Sequence, residues 1–375
     1  MNALLRRAWE ALFPIPKVSQ VEAFLTRVFL AAILHRFLPI GMEQVTQPVP
    51  VGLAHFVNLT WLANPQAYAV YHFVFLMAVF IYASGLMLHV TLPVLTLLQL
   101  LPFTLLNSQG HPHHGYQIIS LAMLGMSVMA VVQWLKGNGQ PWAGLGRSVM
   151  VKALAAVAVL VLGWFMAVNG PCDVLARRLG APFGEGGPGW AYSLIRITVF
   201  LVLSWPLARL AAKDRPSGIM NASLLMAAQF MIAGAYLVSV CSKMRMSKGQ
   251  WLLNSHYVAL DFVKTTRQSY YSALDPKFAH DPAGVVFLMS HETLARLFFG
   301  GGVVLETILI VAVGTRWLAL ALGVALVIMH STIQELMTLS FPTNEYMDTL
   351  FFINVPFLVA LAVLKMQGKK RLGEA

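Results

Sequence analysis

The sequence predicts an all-α integral membrane protein, a polytopic helical bundle of about nine or ten transmembrane helices with a helical loop region outside the membrane. Of its 375 residues, 58% are hydrophobic and 11% are charged, and the mean hydropathy is +0.69. A chain of this composition has too little polar surface to cover a soluble globule of its size. Its apolar residues also gather in runs that approach the roughly 20 residues needed to cross a hydrocarbon layer as a helix.

The apolar runs define the predicted spans. They lie near residues 23–42, 69–87, 90–106, 116–135, 149–169, 192–211, 221–242, 296–315, 317–336 and 346–365. The first run continues into His35 and Arg36 without an Ala-x-Ala cleavage site. It therefore predicts a retained first span and not a removed signal peptide. Short joins, such as the one around His89, leave the exact number of spans open.

The basic residues predict the orientation of the bundle. The net charge is +11, but Lys and Arg lie in short segments between the spans and not on one face. This pattern does not favour a nucleic-acid partner. Placing both termini in the cytoplasm puts the basic tail 369–371 inside and the loops 43–68, 107–115 and 337–345, which contain no Lys or Arg, outside. We therefore expect a multi-pass protein in a lipid bilayer with cytoplasmic N- and C-termini.

The long segment 243–295 is the part of the chain that differs most from a span. It is polar and aromatic, and a loop of this length is more often functional than idle. The stretches 251–262 and 269–274 are apolar enough to form short helices along the membrane surface. We expect residues 1–375 to form a single transmembrane domain, with 243–295 as a loop or lid over its outer face.

Lys243 ends the apolar stretch 231–242 and is the first candidate functional residue. A cation at the point where a helix leaves the bilayer can extend its ammonium group to water, which is a purely structural role. It can also be held in a half-dry pocket, where it can take part in chemistry. Position alone leaves both interpretations open.

Several further ionisable residues fall within or at the ends of the apolar runs, where charges are costly and need a partner or a wet cavity. They are His35, Arg36, His72, Arg196, Glu306, His330 and Glu335. For Arg36 and Arg196 we favour a structural role, including pairing with Glu306 or another acid. Glu306 fits function and helix packing equally well, and a single buried histidine such as His330 is more often a satisfied core residue.

The sequence does not predict a metal site. His111, His113 and His114 lie close together, but their spacing matches no zinc signature and no carboxylate or cysteine lies nearby. The chain has two cysteines, Cys172 and Cys241, which can build neither a disulfide framework nor a cysteine metal site.

Three local patterns, in the same order along the chain, resemble the vitamin K-dependent gamma-carboxylase and its bacterial relatives, the horizontally transferred transmembrane (HTTM) family. The patterns are His114-Gly-Tyr116 opening a span, Tyr236 to Lys243 followed by Trp251, and Gly302 to Glu306 followed by His330. The resemblance covers about residues 20–365. The chain differs from the family pattern at Ser239-Val240, where Ala-Gly is usual, and at Asn254, where glycine is usual.

The resemblance implies an enzyme that uses a reduced quinone, vitamin K or menaquinone, with oxygen and carbon dioxide as co-substrates, to carboxylate glutamate in a peptide or protein. It implies Lys243, His114 and His330 as catalytic residues, with Lys243 as the base. It also implies Glu306, Tyr116 and Trp251 as residues that contact the cofactor. The site would lie on the non-cytoplasmic face.

Three alternatives remain open at the sequence level. The first is a related quinone-coupled redox reaction on the same scaffold. In the second, a transporter, or a peptide maturation or export factor, would use Glu306, His330 and Glu335 to line a polar path, with discontinuous helices and openings on both sides of the membrane. In the third, the polar groups only hold helices together. Convergence of Lys243, His114 and His330 on one cavity would favour the enzyme.

Overall fold

The structure is a computed structural model that describes residues 12–39, 42, 45–110, 116–138, 218–274, 276–281, 283–337 and 341–366. Within these ranges the chain is helical and contains no extended β-strand. The all-α class predicted from composition and apolar runs is therefore confirmed.

Twelve α-helices follow one another in the described ranges. They are α1 Gln20–Phe37, α2 Pro65–Ser84, α3 Leu88–Asn107, α4 Gln117–Leu135, α5 Ile219–Met246, α6 Trp251–Asn254, α7 Val258–Ala273, α8 Ala283–Ser290, α9 Glu292–Ile308, α10 Arg316–Met337, α11 Pro342–Phe351 and α12 Val355–Met366.

Seven segments of the described chain are long and apolar enough to cross a membrane. They are α2, α3, α4, α5, α9 with its 3₁₀ extension to Ala312, α10 and the combined α11–α12 segment. Helix α1 coincides with the first predicted span but carries Glu22, Arg27 and Arg36, and it is not among the seven. The predicted spans 149–169 and 192–211 lie outside the described residues.

Local sequence signals fix where the first helices begin. The Ser19 hydroxyl accepts a hydrogen bond from the Glu22 backbone N–H at 3.0 Å, which caps α1. Asn64 caps α2 through the backbone N–H groups of Gln66 and Ala67. Pro65 occupies the first position of α2, where its missing N–H costs nothing.

Helix α5 is longer than the predicted span. It continues through Lys243 to Met246 because no helix breaker occurs before Lys248 and Gly249, which both adopt positive φ angles. Helix α9 already begins at Glu292. The connecting segment is therefore shorter than predicted and consists largely of helices α6, α7 and α8.

The connecting helices pack against the start of α9. Ala259 of α7, Leu288 of α8, and Ala295 and Phe299 of α9 form a separate buried cluster. This cluster anchors the connecting segment to one end of the bundle. The same end contains the C-terminus of α5 and the N-terminus of α9, since these are the two helices that the segment joins.

The last span is broken, whereas the sequence predicts one continuous run over 346–365. Helix α11 ends at Phe351, and α12 starts after Asn354, which has φ 51° and caps α12 by accepting from the Phe357 N–H at 3.1 Å. Helix α10 crosses close to this break, because a Cβ atom on Gly323 would lie 2.7 Å from Phe352 Cβ. The prediction of a continuous helix missed the asparagine cap.

Candidate functional site

A cavity of about 1080 Å³ lies at the end of the bundle that α6 and α7 cover. Its wall is formed by the first turn of α4, the last turns of α5, and parts of α9, α10 and α11. Most of the wall is apolar and aromatic, including Phe262, Phe298 and Phe341. A small number of polar side chains interrupt this surface, as is typical of a site for a small organic molecule.

Lys243 and Glu306 form an ion pair in the cavity wall. The Lys243 Nζ atom donates to both carboxylate oxygens of Glu306, at 2.7 and 2.9 Å. The lysine side chain is 30% exposed and the glutamate side chain 12%. Nζ also lies 5.6 Å from the centre of the Trp251 ring. The cavity wall therefore presents an ion pair beside an aromatic face.

Helix geometry explains why the motif around Lys243 faces the cavity. Tyr236 and Lys243 are seven residues apart, or two turns of α5, and Ser239 lies between them on the same face. All three side chains line the cavity. In the second half of α9, Glu306 lies opposite Lys243, with Gly302 one turn earlier in the same wall.

A second polar cluster is centred on Asp348 in α11. The carboxyl group is completely buried and accepts a hydrogen bond from the Tyr236 hydroxyl at 2.8 Å. Asn344, one turn earlier on α11, donates to the Tyr236 hydroxyl at 3.2 Å. The Nδ1 atom of His330 lies 3.6 Å from Asp348 Oδ2, which is longer than a direct hydrogen bond.

His330 connects this second cluster to the cavity. The residue is 4% exposed, lines the cavity and stacks on the Tyr236 ring with a centroid separation of 5.9 Å. Among the described residues, no group hydrogen-bonds to His330 Nδ1 or to Asp348 Oδ1. Within the described part of the chain, the Nδ1 atom of His330 thus differs from that of a core histidine whose hydrogen bonds are satisfied.

Four predicted site residues from different segments line this cavity: Lys243, Trp251, Glu306 and His330. Tyr116 stacks on Phe103 at 4.2 Å just before α4, and burial raises the pKa of its phenol. In the described part of the wall, α4 contributes its next residue, Gln117, and not Tyr116. His114 lies outside the described residues, together with His111 and His113.

The other ionisable residues of the predicted spans lie elsewhere. The rings of His35 and His72 stack at 6.3 Å, and the guanidinium carbon of Arg36 lies 5.9 Å from the Tyr346 ring centre. Arg196 and the side chain of Glu335 lie outside the described residues. No group of three or more His, Cys, Asp or Glu side chains in the described ranges could hold a metal ion.

Sequence reasoning missed Asp348, Asn344 and the role of Tyr236. Asp348 interrupts the predicted apolar run 346–365, so the rule that acids within spans need an explanation could have selected it. Asn344 and Asp348 are four residues apart and share one face of α11. No comparable signal in the sequence connects this face to Tyr236 and His330.

A second bidentate ion pair lies at the opposite end of the bundle. Arg316 at the start of α10 donates to both carboxylate oxygens of Glu22 in α1, at 2.7 and 2.9 Å. Asn354 donates to the same carboxylate at 3.0 Å, and the Arg316 guanidinium lies over the Phe357 ring at 4.0 Å. The small cavity beside Arg316 has a volume of about 10 Å³, enough for about one water molecule.

Comparison with known protein families, curated proteins and solved structures found no match to this chain. The functional interpretation therefore rests on the geometry of the cavity and on the motif resemblance.

Proposed function

We propose that this chain is an integral membrane enzyme that binds a reduced quinone in the cavity of about 1080 Å³ and couples it to carboxylation of glutamate in a peptide. The observation that carries the proposal is the convergence of Lys243, Glu306, Trp251 and His330, which come from four helices, on one cavity wall. The motif resemblance implies a site role for the same four residues. It also supplies the specific reaction.

The cavity has the properties that a quinone requires. Its volume of about 1080 Å³ is slightly above the roughly 300–1,000 Å³ range of small-molecule sites, which leaves room for a ring and part of an isoprenoid tail. Trp251 and Phe341 provide flat apolar surface for the ring. Lys243 and His330 provide polar groups for the two ring oxygens. A ligand with an apolar tail would reach this site from the bilayer.

The residues of the chain would orient the quinone and move protons. In the proposed reaction the bound reduced quinone, together with oxygen, supplies the strong base that the γ-carbon of glutamate requires. Lys243 donates to both carboxylate oxygens of Glu306, so in the proposed reaction it can act as a base only after it has passed a proton to Glu306. Without that transfer, its role is to stabilise negative charge on a ring oxygen.

The proposed site lies on the non-cytoplasmic face, with both termini in the cytoplasm. The distribution of Lys and Arg among the loops supports this orientation. A peptide substrate would approach from the aqueous side, at the end of the bundle where α6 and α7 border the cavity.

A transporter is the second candidate function, and the break between α11 and α12 is the observation that favours it, because transporters use discontinuous helices. The polar groups of Asp348 and Glu22 would then lie along a path through the bundle. The sizes of the two cavities favour the enzyme, since about 1080 Å³ at one end is matched by about 10 Å³ beside Arg316 at the other.

The purified protein tests the proposal directly. We expect a quinone to copurify with it, and we expect fixation of labelled bicarbonate into a glutamate peptide when reduced quinone and oxygen are supplied. Lys243→Ala should abolish fixation. Lys248→Ala is the matched control, because Lys248 is exposed five residues further on, and it should leave fixation unchanged. Absence of both quinone and Lys243-dependent product would refute the proposal.

A further inference from the structure

We infer that Asp348, buried behind the cavity wall, forms a proton-exchange site with Tyr236 and His330, which line the cavity, and that His330 carries the proton between Asp348 and the molecule bound there. The inference rests on the proposed function for the identity of that molecule. The properties of Asp348 itself follow from its described contacts and do not depend on the proposed function.

The surroundings of Asp348 favour a carboxyl group that holds a proton when the cavity has no ligand. The side chain is 0% exposed, and His330 is its one ion-pair neighbour within the described ranges. Oδ2 accepts one hydrogen bond, from Tyr236, and Oδ1 accepts none from the described residues. A buried carboxylate with so few partners is strongly disfavoured relative to the neutral acid.

The same contacts also provide a way to stabilise the ionised form for a short time. Asn344 donates to the Tyr236 hydroxyl at 3.2 Å, which leaves the phenol proton directed at Asp348. The His330 Nδ1 atom has no hydrogen-bond partner among the described residues and lies 3.6 Å from Oδ2. A small rotation of the imidazole would bring Nδ1–H into hydrogen-bonding distance.

The proton balance is simple. With Nδ1 facing Asp348, Nε2 is the ring nitrogen left for a ligand. An Nε2–H proton passes to an oxygen anion in the cavity, and the Asp348 proton moves to Nδ1, which leaves a neutral imidazole and a carboxylate bonded by Tyr236 and Nδ1–H. In reverse, a hydroxyl of the ligand returns its proton to Nε2, and Nδ1–H returns its proton to Asp348.

Other charged groups near the site have partners of their own. Lys243 of α5 and Glu306 of α9 neutralise each other in the same cavity wall. Glu345, close to Asp348 on α11, is also buried but accepts a hydrogen bond from Ser331 at 3.1 Å, and among the described residues no hydrogen bond or ion pair connects it to His330. Glu345 is therefore a matched control for a buried acid that does not exchange protons with the cavity.

Infrared difference spectroscopy of the purified full-length protein tests the inference without any ligand. We expect a carbonyl stretching band of a protonated carboxyl that is lost in Asp348→Asn and retained in Glu345→Gln. Tyr236→Phe should shift the same band because it removes the hydrogen bond to Oδ2, which assigns the band even where Asp348→Asn folds poorly. In D₂O the band should shift in the wild type, and His330→Phe should slow that shift severalfold.

Two results would overturn the inference. If no band depends on Asp348 or Tyr236, the carboxyl group is ionised and holds no proton to exchange. If His330→Phe leaves the exchange rate unchanged, the proton does not travel through the imidazole.

Addition of menadione, a naphthoquinone without a tail, separates this inference from the proposed function. Binding measured by equilibrium dialysis, with a change in the Asp348 band, supports both. Binding without any change in the band refutes exchange with the ligand and leaves the quinone site standing. Failure of both menadione and a tailed menaquinone to bind refutes the quinone proposal, whereas the Asp348 band and its His330 dependence still decide whether the proton site exists.

Discussion

Two ion pairs with nearly the same geometry lie at opposite ends of this bundle, and their surroundings differ. Glu22 is 1% exposed, and its carboxylate is bonded by Arg316 and by Asn354. Phe357 covers the guanidinium. The pair connects α1, α10 and the cap of α12, and both of its charged groups have partners within the protein. These are the properties of a structural ion pair.

The Lys243–Glu306 pair has equally short contacts but borders a cavity of about 1080 Å³. Its lysine is 30% exposed. Asp348 and His330, near the same cavity, each retain a buried polar atom without a hydrogen-bond partner among the described residues. Ion pairing alone therefore does not show whether a pair has a structural or a functional role. The adjacent cavity and the unsatisfied polar groups distinguish the two pairs.

The largest effect should come from breaking the structural pair. Arg316→Met leaves the Glu22 carboxylate buried without its cation, and we expect a loss of about 3–5 kcal/mol in the free energy of unfolding, typical of a broken buried pair. Thermal unfolding of the purified protein in detergent measures this loss. The double variant Glu22→Gln/Arg316→Met should recover part of it, because it removes the unpaired charge. A single variant as stable as the wild type would refute the structural assignment.

The next largest effect should come from overpacking the close approach of α10 to the α11–α12 break, near the structural pair. A Cβ atom on Gly323 would meet Phe352 Cβ at 2.7 Å and the Ile353 backbone nitrogen at 2.8 Å. Neither atom is the end of a flexible side chain, so we expect Gly323→Ala to cost about 1–3 kcal/mol through overpacking. The unfolding assay used for Arg316→Met measures the change. No loss of stability would show that α10 and the α11–α12 break are farther apart than described.

Breaking the Lys243–Glu306 pair should change stability less and function more. Lys243→Met leaves Glu306 beside a cavity that water can enter, so we expect a stability loss of about 1 kcal/mol or less, as for a partly exposed pair. Quinone-dependent fixation of bicarbonate should be lost. A stability loss as large as that of Arg316→Met, with fixation retained, would assign both pairs the same structural role.

The smallest effect should come from Gly301→Ala in α9. Gly301 is exposed, and no atom lies within 4 Å of a Cβ built there. Alanine in a helix interior is more stable than glycine by roughly 0.5–1 kcal/mol, so a slight stabilisation is expected. The same unfolding assay compares it with Gly323→Ala. A loss of stability would mean that the described chain around Gly301 is more closely packed than its geometry indicates.

The helical membrane fold could be predicted from the sequence because hydropathy and span length are local properties. The span now described as α4 was predicted within one residue at its start and correctly at its end. The contact of Asn354 with Glu22, which lies 332 residues earlier in the chain, could not be predicted in the same way. Apolar periodicity carries no information about such contacts.

The candidate site was predictable in part. Lys243, Glu306 and His330 were singled out because charged and titratable groups in apolar runs need an explanation. The pairing of Lys243 with Glu306 and the connection of His330 to Asp348 depend on how four helices pack together. Residue spacing along one helix describes which side chains share a face, but not which face of another helix they meet.

Quinone content after purification tests the central claim most directly. Ala235 lines the cavity on α5, and Ala235→Trp should fill the ring site; Val128 on α4 is exposed, and Val128→Trp is the matched control. We expect solvent extraction to recover quinone in roughly equimolar amount from the wild type and Val128→Trp, and very little from Ala235→Trp. Equal quinone in all three proteins, or none in the wild type, would contradict the assignment of this cavity.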